Sequence, residues 1–377
     1  MRSVLSLACA MVLYAGVAAA QSITLPPSGD NQRSAVIQHI GPVTVSITYN
    51  SPDVHGPRGE DRRGKVFGGL VPYGVHDLGF AGRRGPWRAG SNENTVVEVS
   101  HPVTIDGQPL PAGRYGLHMI AGPTEWTVIF SKNSTSWGSF SYDEGEDQLR
   151  VQVKTQPAPY REWLSYEFLD RKPDRATVAL EWDEVRVPFT IAVPDVTSLY
   201  LTTIRNELRN APGFTWQAWQ AAARYCLQQN VNFEEALTWA DNAIRLPGVG
   251  QANFTTYETK AAALSRLSRE SEAAKLMDEA VRLPNALPIE IHQYGRQLQA
   301  RGKHAEALAV FQKNAARFGE AWPTHVGLAR GYSATGDYAR ALEHAQKALA
   351  QAPDAVNKKS LEDAVARLKQ GKDMNVS

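Results

Sequence analysis

Four alanines, Ala236, Ala273, Ala307 and Ala341, stand 37, 34 and 34 residues apart. Each lies in a variant of one pattern: "NFEEALTWADNAI", "RESEAAKLMDEAV", "KHAEALAVFQKNA" and "DYARALEHAQKAL". Apolar residues fall at helical spacing in every copy, so each copy predicts a helix. A first helix precedes each copy, with Ala261, Gly295 and Ala329 where two helices must approach closely. Gly302 and Gly336-Asp337 supply the inter-helix turns, and Pro353 closes the last unit. One helical pair can bury only one face until a neighbour stacks on it, so this pattern commits residues 213–353 to a stacked array. Before it, Val196, Leu199, Tyr200, Ile204 and Leu208 form one stripe of a connecting helix over 195–212. After it, Leu361, Ala364, Val365 and Leu368 lie on one side of a capping helix over 354–370, followed by a tail at 371–377.

The period is that of the tetratricopeptide repeat, and the four segments resemble its second helix. The first unit is degenerate: "WQAWQAAARYCLQQN" places Trp219 out of register, as expected of an N-terminal cap. The inner surface of such an array is formed mainly by first helices. The register puts Glu258, His292, Arg296, Gln299, Arg330 and Ser333 on or near it. Arg330 repeats the position of Arg296, and stacked arginines can grip the carboxylates or backbone of an extended peptide. An ordinary solvated surface is an equal expectation.

Upstream the period changes to two. "VTVSITY" puts Val43, Val45, Ile47 and Tyr49 on one face; "RYGLHMI" does the same for Tyr115, Leu117 and Met119, and "EWTVIF" for Trp126, Val128 and Phe130. "LRVQVK", "WLSYEF", "ATVALEW" and "VRVPFTIAV" continue the habit. Turn signals at Asp106-Gly107, Pro111-Ala112-Gly113, Gly122-Pro123 and Lys172-Pro173-Asp174 separate the runs. Short alternating strands without intervening helices predict an antiparallel β-sandwich or barrel over residues 36–194. The fold class is therefore α+β in two domains, β first and helical repeats second.

The opening "MRSVLSLACAMVLYAGVAAAQS" has an early arginine, an apolar core and a small-residue end. It reads as a secretory signal peptide over 1–20, cleaved before Gln21, with 21–35 as a linker. Ser6-Leu7-Ala8 is a poor lipobox, so Cys9 reads as signal core. Removal of the signal leaves Cys226 alone, which excludes an internal disulfide and fits a buried thiol. No later run is apolar enough to span a bilayer. An exported chain, periplasmic or secreted, is expected. Lys+Arg number 40 against 39 Asp+Glu, so no global field favours nucleic acid.

The β half also resembles the exported bacterial family known as domain of unknown function 2911. "ITYNSPDVHG", "KVFGGLVPYG", "WRAGSNENT", "LPAGRYGLHMI", "EWTVIFSKN" and "LRVQVK" occur in that order, and the resemblance covers about residues 39–193. The helical segment beginning at "WQAAARYC" is similar to the tail of family members. Two additions depart from the family pattern, "PRGEDRR" at 57–63 and "HDLGFAGRRG" at 76–85, both read as surface loops. The family implies neither a reaction nor a ligand.

"WRAGSNENT" is the densest polar cluster. A buried polar turn is the first expectation, because short polar side chains before a strand bond nearby backbone and arginine can satisfy several carbonyls. A pocket in which Trp87, Arg88, Asn92 and Asn94 bind a small polar ligand or glycan is the second. A hydrolase using Glu93 is the third, and it lacks a base–nucleophile pair. His55, His76, His101 and His118 form no metal-ligand spacing, and no metal or cofactor is expected. His118, alternating away from Leu117 and Met119, is not required to be buried with them. Asp143/Glu144 and Glu146/Asp147 read as a solvated turn. Trp126, Trp137, Trp163 and Trp182 offer stacking surfaces for sugars, though several occupy core positions. The reading is a non-enzymatic exported adaptor that binds a protein or peptide through its helical groove. The alternative is a polar-ligand or glycan-binding β-domain whose helices serve oligomerisation or stability.

Overall fold

The apolar alternation of the first half becomes strands, and the longer period of the second becomes helices. The computed structural model describes residues 31–79 and 82–376. The expected signal peptide and residues 21–30 of the expected linker lie outside the described residues. Two compact units divide at Val196/Thr197.

The first unit contains β1 (Gln32–Ile40), β2 (Val43–Ser51), β3 (His76–Asp77), β4 (Arg84–Gly85), β5 (Thr95–Val99), β6 (Val103–Ile105), β7 (Gln108–Leu110), β8 (Gly113–Ile120), β9 (Glu125–Ser131), β10 (Asp147–Lys154), β11 (Gln156–Lys172) and β12 (Arg175–Ala192). One sheet runs β1-β2-β5-β8-β9-β10, a second β11-β12-β6-β7, and β3-β4 form a small ribbon within the second addition. All these pairs are antiparallel. Both larger sheets are open, so the sandwich form of the expectation holds and the barrel form does not. β1 begins at Gln32, upstream of Val36, because Gln32 to Ala35 pair in register with Ser51 to Thr48 although their side chains lack the apolar pattern. The two residues joining β6 to β7, Asp106 and Gly107, have φ of +46° and +82°. Positive φ at both positions matches the twist of a tight hairpin, which explains the Asp-Gly signal.

Val43, Val45 and Ile47 point inward and are fully buried. Phe130 of β9 meets Phe189 of β12 edge to face at 5.8 Å, closing the sheets over one core. β8 departs from simple alternation. His118 is as buried as Leu117 and Met119, because the segment after β9 lies across the other face: Ser139 Oγ is 2.8 Å from His118 Nδ1. The freedom from burial allowed to His118 by alternation is therefore corrected; a covering loop has no period to betray it.

The second unit contains α1 (Val196–Glu207), α2 (Trp216–Gln229), α3 (Phe233–Arg245), α4 (Phe254–Arg266), α5 (Glu270–Ala280), α6 (Pro288–Ala300), α7 (His304–Phe318), α8 (Trp322–Ala334), α9 (Tyr338–Ala350) and α10 (Ala355–Lys369). They pair as α2/α3, α4/α5, α6/α7 and α8/α9, with first helices also touching: α2 meets α4, and α6 meets α8. Ala236, Ala307 and Ala341 are fully buried and Ala273 nearly so, which is why small residues recur there. α1 supplies Leu201 to the cluster formed by Ala222, Ala223, Cys226, Trp239 and Ala240. Burial raises the Cys226 thiol to about 11, the behaviour of a structural cysteine. Phe311 of α7 is fully buried against Gly295, where a Cβ would stand 2.3 Å from its ring.

Candidate functional site

The polar cluster of the β unit is a knot tied from within. Trp87 stacks on Trp182 at 6.2 Å and meets Phe67 and Trp126 edge to face, while its Nε1 donates to Gly90 O at 3.1 Å. Arg88 donates to Asn92 O at 2.8 Å and lies 5.0 Å over the Phe140 ring. Burial lowers the pKa of its guanidinium. Gly138 makes room for it, since a Cβ there would stand 2.5 Å from Arg88 Cζ. Ala89 and Asn92 hold left-handed backbone, φ +52° and +56°. That conformation turns Ala89 O toward Thr95 Oγ1 at 3.0 Å and Tyr166 OH at 2.8 Å. Asn92 Oδ1 accepts from Asn31, Glu93 accepts from Asn50, and Asn94 donates to Asn133 O and Ser136 Oγ. The structure thus brings Trp87, Arg88, Asn92 and Asn94 together as one turn that joins β2, β5, β11 and the 131–142 segment.

Beside this knot, His118 and Ser139 form a buried pair that the strand pattern hid. Burial, and then the charge of Arg88, push His118 down to about 4, so it is neutral at ordinary pH. Both side chains are about 1% exposed, which seals the pair from solvent. Trp126 and Trp182 are core, whereas Trp137 and Trp163 are exposed. Asp147 is drawn out of the acidic turn into a bond from Tyr142 OH at 2.7 Å and an ion pair with Arg150. Of the histidines weighed as ligands, His55 bonds Glu162 and His101 lies beside Ser100. Among the described residues no three His, Cys, Asp or Glu side chains gather as metal ligands.

The first-helix face of the array is assembled differently. Gln297 Nε2 donates to Glu258 at 2.8 Å, and Gln299 Nε2 donates to Arg330 O at 3.0 Å, so these positions connect successive repeats. Arg296 is exposed and has no ion pair among the described residues. It borders a shallow depression of about 350 Å³ with Gln293, Gln297 and Ala300. Two of the expected groove residues are not on the surface. His292 is 5% exposed with its ring 5.6 Å from Phe311, and Ser333 is 2% exposed. His292 turns into the contact between α6 and α8, where its Nδ1 lies against Gly327, whereas Ser333 is covered by the segment that follows α10. Burial, with Arg330 and Arg296 nearby, lowers His292 to about 4. Ser333 and Arg330 both bond the segment that follows α10.

One more cluster lies outside any motif: His325 is 2.7 Å from Glu320 through Nε2 and 3.1 Å from His344 through Nδ1. The Tyr332 ring stacks on His344. No helix among the described residues is long and apolar enough to cross a membrane.

Fold and surface together define a two-sheet β unit followed by an array of paired helices of tetratricopeptide type. Residues 31–191 match the model of the family described as "Protein of unknown function (DUF2911)", which bears out the resemblance carried by the ordered motifs. No curated protein matches the chain. Similar solved structures include YrrB, "a TPR protein with an unusual peptide-binding site", 19% identical, covering 44% of this chain and 84% of its own at a TM-score of 0.30. TTC0263, a thermophilic TPR protein of Thermus thermophilus, is 20% identical and covers 46% of this chain and 91% of its own, TM-score 0.32. The C-terminal part of a TPR repeat-containing protein from Cytophaga hutchinsonii is 13% identical and covers 47% and 66%, TM-score 0.34. The array is defined by its own period and helix pairing.

Proposed function

We propose that the chain is an exported, non-enzymatic adaptor whose helical array binds an extended protein or peptide segment along its first-helix face. One observation carries this reading: Arg296 is exposed and has no ion pair among the described residues, beside a depression lined by Gln293 and Gln297. Exposed guanidinium and amide groups offer donors suited to the carboxylates and carbonyls of an extended chain. The test is affinity capture from the native envelope fraction with the full chain and with Arg296→Glu. The reading expects a protein retained by the first and lost at least tenfold by the second, at equal melting temperature. Equal recovery by both overturns it. Export is part of the proposal and rests on residues 1–20; sequencing the secreted or periplasmic form is expected to start at Gln21. A cytoplasmic, uncleaved form contradicts that part.

A second reading places a small polar ligand on the β unit. It is favoured by a cleft of about 260 Å³ lined by Arg33, Asn50, Glu93, Asn94 and Arg114, rather than by Trp87 and Arg88. Protection of the β unit against heat by a polar small molecule, abolished by Arg114→Ala, supports that reading.

A further inference from the structure

After α10 the chain reverses. Gly371 takes up φ +66° and donates to Leu368 O at 3.0 Å, and Lys372 N donates to Arg367 O at 3.1 Å, a helix stop of the left-handed type. The next residues do not run into solvent. They lie against α8, on two positions of the first-helix face. Asp373 Oδ1 accepts from Ser333 Oγ at 2.6 Å, and the backbone N of Met374 donates to the same Ser333 Oγ at 2.9 Å. Asn375 straddles Arg330: its Nδ2 donates to Arg330 O at 3.0 Å, and its Oδ1 accepts from Arg330 Nη1 at 3.2 Å. Arg367 Nε holds the Asp373 carbonyl at 3.0 Å, and the Met374 side chain packs on Ala329, Ala341, Ala345, Val365 and Leu368.

These contacts have the form of a bound peptide: a carboxylate and an amide side chain are recognised by side chains, and the backbone by a hydroxyl. They also stop after one repeat. Arg330 and Ser333 correspond, 34 residues earlier, to Arg296 and Gln299. Gln299 is joined to Arg330 O, while Arg296 and the depression beside it stay uncovered. The charge on this face is unfinished. Neither Arg296 nor Arg330 has an ion pair among the described residues, and Arg330 Nε is buried without a partner among them. A buried N–H left without an acceptor is costly, and a guanidinium more so. An incoming carboxylate between Arg296 and Arg330 supplies the missing acceptor and the missing charge.

We infer that the segment Lys372–Val376 is a self-ligand of the array: it occupies the Arg330/Ser333 end of the first-helix face, and the partner is an acidic extended peptide that displaces it. This rests on the array being the binding surface. The partner therefore gains access at a cost set by the tethered segment, whose effective concentration is high because it is part of the chain.

The experiment uses the full chain and a labelled, end-blocked peptide of residues 371–376. Asp373→Ala/Asn375→Ala removes the polar contacts of the resident segment without altering the apolar residues beneath it, so the peptide can displace it; Asn375→Ala alone is the milder variant. The inference expects the double variant to bind the peptide at least tenfold tighter than the wild type, the single variant to fall between, and Arg330→Glu added to either to abolish the gain. Equal binding by all three chains, or none by any, overturns the self-ligand and makes the segment a cap. Capture of the envelope partner separates the two levels. Recovery that rises in the double variant supports the inference. Recovery that is unchanged there yet lost in Arg296→Glu overturns the inference and leaves the adaptor reading standing. No partner in any sample removes the adaptor reading itself.

Discussion

The β unit and the helical array differ in how far their polar groups are engaged within the chain. Around Trp87 most polar side chains of the motif are engaged within the chain, Arg88 on Asn92 O, Asn94 Nδ2 on Asn133 O and Ser136 Oγ, and Glu93 on Asn50, although the buried Asn94 Oδ1 has no partner among the described residues. On the first-helix face, among the described residues, Arg296 is exposed without an ion pair and Arg330 keeps a buried Nε without an acceptor. The polar cluster that is dense in sequence is joined mostly to its own surroundings, while Glu93 and Asn94 also line the cleft of about 260 Å³. The polar set that remains open is spread over positions about a repeat apart.

The comparison is sharpened first by acid. Burial holds His118 in the β unit and His292 in the array neutral down to about pH 4, against an ordinary value of 6.5. Below pH 6.5 the unfolded chain binds a proton at each site while the folded chain does not, so stability drops as the pH is lowered and levels off near 4. Each site accounts for about 3 kcal/mol at most over that window. Melting curves between neutral pH and about pH 4 check this. His118→Gln is expected to flatten the acid response of the β unit only, and His292→Gln that of the array only; a response unchanged by both breaks the account of buried neutral imidazoles.

A smaller effect is expected at the helix contact. Gly295→Ala places a methyl group 2.3 Å from the Phe311 ring, which must shift. Such overpacking costs about 1–3 kcal/mol, read as a lower urea midpoint of the array with the β unit unaffected. No loss at all would mean that Phe311 has room to move and that the close approach does not set the repeat spacing.

Much of this architecture was legible because it is periodic. The 34-residue recurrence of small residues located Ala307 and Ala341, and alternation located Val43, Val45 and Ile47, all fully buried. What escaped the sequence joins residues with no shared period. His118 is buried by Ser139, 21 residues away, through an irregular segment. His325 meets His344 across a helix pair, and Ser333 meets Asp373 over 40 residues. Of the two arginines that the repeat register puts on the inner face, Arg296 is exposed and Arg330 is partly buried. His292 and Ser333, put on or near that face, are both buried, because a helix has no sharp border between face and contact and because the segment after α10 covers Ser333.

The most direct measurement compares an exposed position from each region. A photoreactive residue is introduced at Gln293, beside Arg296, and separately at Ile37, 63% exposed on β1. Both chains are irradiated in the native envelope fraction. The account expects a discrete protein adduct from position 293, absent when Arg296→Glu is added, and none of the same mass from position 37. An adduct from position 37 alone would contradict the array as the working surface and move the function to the β unit.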